Sequence, residues 1–177
     1  MMVSVRIALG TYRRGGTSPR GQCIYVANHS SHLDALLLLS MLPPAQRKRT
    51  RPVAAEEYWT ADPVRRFLIH SIFRGVLIER ERLQLNPLEP VENALRDGDS
   101  LIFFPEGTRG PGQQTLQPLK PGIFYVARWF PDVDIVPVWI ANRPSVITFG
   151  APLLWKEGQQ QDEFLAEVRG ALEGLRG

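Results

Sequence analysis

The sequence predicts an α/β protein of one domain, 1–177, with a mixed, mostly parallel central sheet flanked by helices. Three observations lead there. Short apolar, β-branched runs alternate with longer segments of helical spacing, the pattern of strands joined by crossover helices. Several of these runs stop abruptly in polar clusters, as strands do when they reach a cleft at the end of a sheet. And 177 residues suffice for one real core but not for two comfortable ones.

Residues 1–20 read as a loosely specified lead-in, with Gly15–Pro19 as a loop. The first strand, Cys23–Ala27, runs into Asn28-His29-Ser30-Ser31-His32-Leu33-Asp34 and then into a Leu-rich helix. Asp34 and Ala35 open that helix, and Pro43-Pro44 stop it near Leu42. Arg47–Arg51 puts four cations into five residues as a basic loop, followed by an extended segment at Pro52–Ala55. Glu56–Trp59 begins a helical stretch, and Asp62-Pro63 is a cap followed by a first-turn proline. Beyond it, Val64, Phe67, Leu68 and Phe73 make an apolar stripe beside Arg65, Arg66 and Arg74. Such a stripe faces either the core, the simpler reading, or a bilayer surface.

Gly75–Ile78 is a buried strand ending in Glu79-Arg80. Asn86-Pro87 opens a helix with Leu88, Val91 and Leu95 inward, closed by Asp97-Gly98. Ser100–Phe104 is a third strand, running into Pro105-Glu106-Gly107-Thr108-Arg109 and a loop at Gly110-Pro111-Gly112. Lys120-Pro121-Gly122 precedes a helix from Ile123 to Phe130. In the strand Asp134–Trp139, Pro137 has no N–H for a ladder and so implies an edge or a bulge. Val146–Phe149 is a last strand, and about 160–176 an amphipathic terminal helix carrying Phe164, Leu165, Val168, Leu172 and Leu175.

Composition narrows the function. A hydrophobic content of 44% with 22% charged residues is that of an ordinary soluble chain, and no run approaches the roughly 18 apolar residues of a spanning helix. The N-terminus suggests neither a signal peptide nor an anchor, so the glycosylation triplet Asn28-His29-Ser30 is discounted. Cys23, the only cysteine, excludes an intrachain disulfide and reads as a buried apolar residue in a reducing compartment. The basic run Arg47–Arg51 suits a solvated loop, an anionic membrane surface or an anionic ligand. Nucleic acid is not expected, since neither an aromatic ladder nor a recognition helix accompanies the run.

Two of the chain's three histidines fall within seven residues. His29 and Asp34, five apart across a strand-to-helix turn, can meet as an imidazole oriented by a carboxylate, the core of a general base. Glu106-Gly107-Thr108-Arg109 joins an acid, a flexible glycine, a hydroxyl and a guanidinium; its amides and Arg109 suit an anion. Arg80 and Arg109 are natural bidentate partners for phosphate. His32 reads as a hydrogen-bonded turn residue and His70 as structural. Trp59, Trp129, Trp139 and Trp155 suit either a core or an interface.

These blocks, in this order, resemble the glycerolipid acyltransferases, the family of lysophosphatidic acid acyltransferase. Its Asn-His-x-x-x-x-Asp block corresponds to Asn28 through Asp34, and its glycine, apolar strand and arginine to Gly75 through Arg80. Its Phe-Pro-Glu-Gly-Thr-Arg block is intact at Phe104–Arg109, and its apolar-proline-apolar triplet is Val136-Pro137-Val138. Lys120-x-Gly122 also matches, and the resemblance covers about residues 22–150. It implies that family's fold and the transfer of a fatty acyl group from acyl-CoA or acyl-carrier protein to a lyso-glycerolipid hydroxyl. The lyso-phospholipid 1-acylglycerol-3-phosphate comes first among the acceptors. It further implies His29 as base with Asp34, a substrate site at Arg80, Glu106, Gly107, Thr108, Arg109 and Lys120, direct attack without a covalent enzyme intermediate, and neither metal nor cofactor. The place of work would be a membrane surface, met peripherally on the cytoplasmic side, or a soluble domain within a larger membrane-associated polypeptide.

Two departures qualify that picture. Ala55 stands where many relatives carry a phosphate-binding lysine, which leaves the acceptor headgroup open. The N-terminus is shorter than the apolar region with which many relatives begin. Two rivals stand beside it. His29-x-x-His32-x-Asp34 faintly resembles a dinuclear metal hydrolase cluster, but the spacing is off by one and Ala35 replaces the closing histidine. A non-catalytic basic membrane-binding module would account for Arg47–Arg51 but not for Phe104–Arg109.

Overall fold

The computed structural model describes residues 12–14, 21–79, 86–108, 115–142 and 145–176. Its described strands are β1 (Tyr12–Arg14), β2 (Cys23–Ala27), β3 (Thr50–Ala55), β4 (Val76–Ile78), β5 (Ser100–Phe103), β6 (Asp134–Asn142) and β7 (Ser145–Phe149). They form one sheet in the order β1-β7-β6-β2-β5-β3-β4. Every pairing is parallel except β6 with β7. The α/β class and the mixed, mostly parallel sheet flanked by helices are thus as the sequence predicts.

The helices are α1 (Asp34–Met41), α2 (Pro44–Lys48), α3 (Glu56–Thr60), α4 (Pro63–Phe67), α5 (Glu89–Arg96), α6 (Gly122–Trp129) and α7 (Gln161–Gly174). Alternation along each strand divides the apolar residues between two cores. Ile24 and Val26 of β2 and Leu101 of β5 face one core, closed by Val91 and Leu95 of α5, Ile123 of α6 and Phe164 and Val168 of α7. Cys23, Tyr25 and Ala27, with Ile102 and Val138, face the other, closed by Leu37, Leu38 and Met41 of α1. β2 is wholly buried, as a strand covered on both faces must be.

The structure corrects four expectations. The lead-in contains β1, which has no apolar run to announce it and exists through pairing with β7, Tyr12 opposite Val146. Residues 47–51 are not a loop: they end α2 and begin β3, and their arginines brace the fold. Arg47 donates to the Leu42 carbonyl, Arg49 to that of Asp97, and Arg51 to that of Arg74 while pairing with Asp99. The stripe beyond Asp62 faces the core only at its far end, where Phe73 packs against the second core; its first half points outward. Val64 is 66% and Phe67 62% exposed, and among the stripe's neighbours it is Ile69 that is buried. After one α-turn the helix widens into a π-turn at Leu68–Ile72, closed by Arg74 at φ 51 and a Gly75 N–H to Ile69 carbonyl bond. A side chain on Gly75 would collide with Ile69.

Finally, β6 is an interior strand with Pro137 opposite Val26. Pro137 is accepted because its ring nitrogen lies on the β7 side, beyond the last β6–β7 pair at Val138 and Phe149. There its carbonyl takes the Gly150 N–H, and no ladder donor is demanded. The predicted loops at Gly15–Pro19 and Gly110–Gly112 lie outside the described residues.

Candidate active site

Parallel pairing brings the C-terminal ends of β2, β5, β3 and β4 to one edge of the sheet. Beyond those ends lies a cavity of about 870 Å³, the usual position for a ligand in an α/β sheet. Its walls include His29 after β2, Ala55 at the end of β3 and Trp59 beyond it, Glu79 after β4, and Phe104 and Gly107 after β5. Gly107, Thr108 and Lys120 of the predicted substrate site line it together. Arg80 and Arg109 lie outside the described residues.

The turn after β2 is built to hold His29. Asn28 continues the sheet with its side chain: its amide donates to the Ile140 carbonyl at 3.0 Å and accepts the Ile140 N–H at 2.7 Å. One residue on, His29 Nδ1 lies 3.0 Å from Asp34 Oδ2. The Asp34 carboxylate is fully buried and also accepts the backbone N–H groups of Ser30 and Ser31 at 2.7 and 2.8 Å. The two serines therefore form the turn. Because an ionised carboxylate is acceptor-only, Nδ1 carries the proton in this pair, which leaves Nε2 as the acceptor of a ring that lines the cavity. Stacking on Phe104, with ring centroids 4.2 Å apart, fixes the imidazole plane. An imidazole so held, 23% exposed at the mouth of an apolar cavity, can take a proton from a bound hydroxyl.

Glu106 lies beneath the cavity rather than in its wall. It is 3% exposed, and its two oxygens accept the backbone N–H groups of His29 at 2.7 Å and Gln117 at 2.8 Å. It ties the β5 turn to the β2 turn. Gly107 follows at φ +71, where a side chain would be strained and would press on the Lys120 stem. Lys120 in turn donates its backbone N–H to the Pro105 carbonyl.

His32 turns to Tyr58, stacked at 5.2 Å with its ring nitrogens on the phenol oxygen, and Arg65 covers the same phenol ring at 4.4 Å. The metal-hydrolase ligand set is not assembled: among the described residues no group of three or more His, Cys, Asp or Glu could hold a metal ion. Trp139 is core, whereas Trp129 is 42% exposed. Cys23 is buried, and burial pushes its thiol up to about 11. The roles of Asn28, Phe104 and Gln117 escape sequence reasoning. Asn28 and Phe104 lie within recognised blocks, so block position was a signal; Gln117 offers none.

The fold and site define an α/β protein with a histidine–carboxylate pair over an apolar cavity. A family model described as Acyltransferase matches residues 11–141. The chain belongs to the acyltransferase family. It is similar to a 1-acyl-sn-glycerol-3-phosphate acyltransferase of Chlamydomonas reinhardtii, 28% identical over 143 residues, 80% of this chain and 40% of that protein. A chloroplastic protein of the same description from Brassica napus is 28% identical over 144 residues, 77% and 38% of the two chains. One from Saccharomyces cerevisiae is 28% identical over 130 residues, 71% and 40%. The chain thus spans about two fifths of the length of the curated relatives it matches. Among solved structures, the 1-acyl-sn-glycerophosphate (LPA) acyltransferase of Thermotoga maritima shares the fold. The TM-score is 0.75 at 21% identity, over 98% of this chain and 74% of that one.

Proposed function

We propose that the chain, acting as one domain over 1–177, transfers a fatty acyl group from an acyl thioester to the hydroxyl of a lyso-glycerolipid, 1-acylglycerol-3-phosphate foremost. The observation that carries this is the His29–Asp34 pair, 3.0 Å apart, opening on a largely apolar cavity of about 870 Å³. A base alone would suit many reactions; a base beside room for an alkyl chain suits acyl transfer to a lipid.

Nε2 of His29 takes the acceptor's hydroxyl proton as that oxygen bonds to the thioester carbon. The C–S bond then breaks, and the thiolate recovers the proton from the imidazolium, which Asp34 has stabilised meanwhile. No covalent enzyme intermediate is needed, and the donor is acyl-CoA or acyl-carrier protein. Gly107, Thr108 and Lys120, with Arg80 and Arg109, receive the acceptor's headgroup; a guanidinium matches a phosphate in two points. Ala55 in the cavity wall keeps lyso-lipids without a terminal phosphate in play.

The lipid partner is met at a membrane surface, on its cytoplasmic side, without a spanning helix of the described residues: none is long and apolar enough to cross. The outward stripe of Val64, Phe67 and Ile72 supports this, since residues 63–78 carry three arginines and neither Asp nor Glu. Ile69 and Phe73 of the same segment line the cavity, so the stripe adjoins it.

The test is thiol release from palmitoyl-CoA against a panel of lyso-lipids with and without phosphate, in the presence of a chelator, beside His29→Ala. Release that requires an acceptor and falls roughly 10²–10⁴-fold in the folded variant is the expected result. Undiminished release by His29→Ala would overturn the base; loss of release on chelation would overturn the metal-free reaction.

A further inference from the structure

We infer that Arg169, on the C-terminal helix, is a positioning residue for His29, acting through a relay of one peptide bond and one buried carboxylate. From α7 its guanidinium reaches two successive carbonyls, Leu116 at 3.4 Å and Gln117 at 2.7 Å. The Leu116 carbonyl belongs to the same peptide plane as the Gln117 N–H, which donates to Glu106 Oε2 at 2.8 Å. Glu106 Oε1 accepts the backbone N–H of His29 at 2.7 Å. A trans peptide presents C=O and N–H in opposite directions, so one rigid plane is held by a cation at one edge and a carboxylate at the other.

The chemistry favours arginine at this end. Its planar fork spans adjacent carbonyls, whereas an ammonium is a point donor. Glu173, one turn on, pairs with the guanidinium at 3.2 Å and restrains it. At the other end, Glu106 is nearly sealed from solvent, so the direction of its two N–H partners sets where its oxygens lie. If Gln117 rotates, Glu106 follows or loses a donor, and the His29 backbone loses its stop. Asp34 fixes the imidazole relative to its turn; the relay fixes the turn relative to β5. Small displacements of a reacting group are costly: about 1 Å lowers rate by up to roughly a hundredfold.

Two arms test the relay on the full chain. The first is the ¹H–¹⁵N signal and hydrogen-exchange rate of the His29 amide, in Arg169→Gln, Arg169→Lys and the same-helix control Glu167→Gln, which breaks the exposed pair with Lys156. The amide of His29 should shift and exchange faster in Arg169→Gln, less in Arg169→Lys, and not in the control. The second arm, which rests on the acyl-transfer reading, is steady-state kinetics. Arg169→Gln should lower kcat roughly ten- to hundredfold with both KM values held, and Arg169→Lys should recover part of it. An unmoved His29 amide in a folded Arg169→Gln overturns the relay whatever the activity, as does equal disturbance by the control. Should Arg169→Gln not fold, the Arg169→Lys amide decides alone. Absence of turnover in the wild type overturns the functional reading and leaves the amide result standing.

Discussion

At the scale of single residues, the site depends on polar groups whose partners are fully specified. Asp34 carries three donors on one oxygen, and Glu106 one on each of two. Arg109→Ala should raise the acceptor KM or lower kcat/KM by about 1–3 kcal/mol, the worth of one charge-assisted contact, measured across the lyso-lipid panel. An acceptor dependence like the wild type's would remove Arg109 from the headgroup site. Cys23 gives a prediction in pH. Its thiol is raised from 9.0 to about 11 by burial, so the folded state holds the proton more tightly than the unfolded chain. The stability this brings is fully present below about pH 9 and lost as pH rises through about 11. The native protein should resist thiol reagents at pH 8 and react at the rate of unfolding; rapid labelling of folded protein would contradict the burial.

At the scale of elements, the segment from Asp62 to Gly75 departs most from its sequence. Its cap is as the sequence predicts, with the Asp62 carboxylate taking the N–H groups of Val64 and Arg65. Its facing is so only at Phe73 and not at Val64 and Phe67, because a stripe at helical spacing is the same string whether it faces a core or not. Phe67→Glu should abolish co-sedimentation with phosphatidylglycerol vesicles and leave the far-UV spectrum unchanged. Equal sedimentation by the variant would remove the lipid contact from this face. The end of the segment is set by packing: Gly75→Ala should displace Ile69 from the cavity wall and cost about 1–3 kcal/mol, read by thermal unfolding. A neutral substitution would mean that Ile69 yields freely.

At the scale of the whole molecule, what could be read beforehand follows from what a local string encodes. β2, β5 and the His29–Asp34 turn were legible because an apolar run, a polar cluster and a helix start are adjacent in sequence. β1 was not, because Tyr12–Arg14 becomes a strand only beside Ser145–Phe149. Pro137 misled for a related reason: whether a strand is interior depends on where its neighbour stops. The basic run misled because two of its arginines reach groups brought near by folding: Arg49 a carbonyl 48 residues away, Arg51 a carbonyl 23 residues away and the Asp99 carboxylate. Arg80 and Arg109 remain known from their blocks alone.

The Glu106 bridge has a further consequence, for which sequence changes this molecule would tolerate. Among the described residues, both partners of that carboxylate, and both of the carbonyls reached by Arg169, belong to the main chain. Main-chain groups are supplied by any amino acid, except that proline has no N–H. In a saturation library selected for function, position 117 should therefore accept almost every side chain and exclude proline. Position 106 should accept almost none, although both stand on the same hydrogen bond.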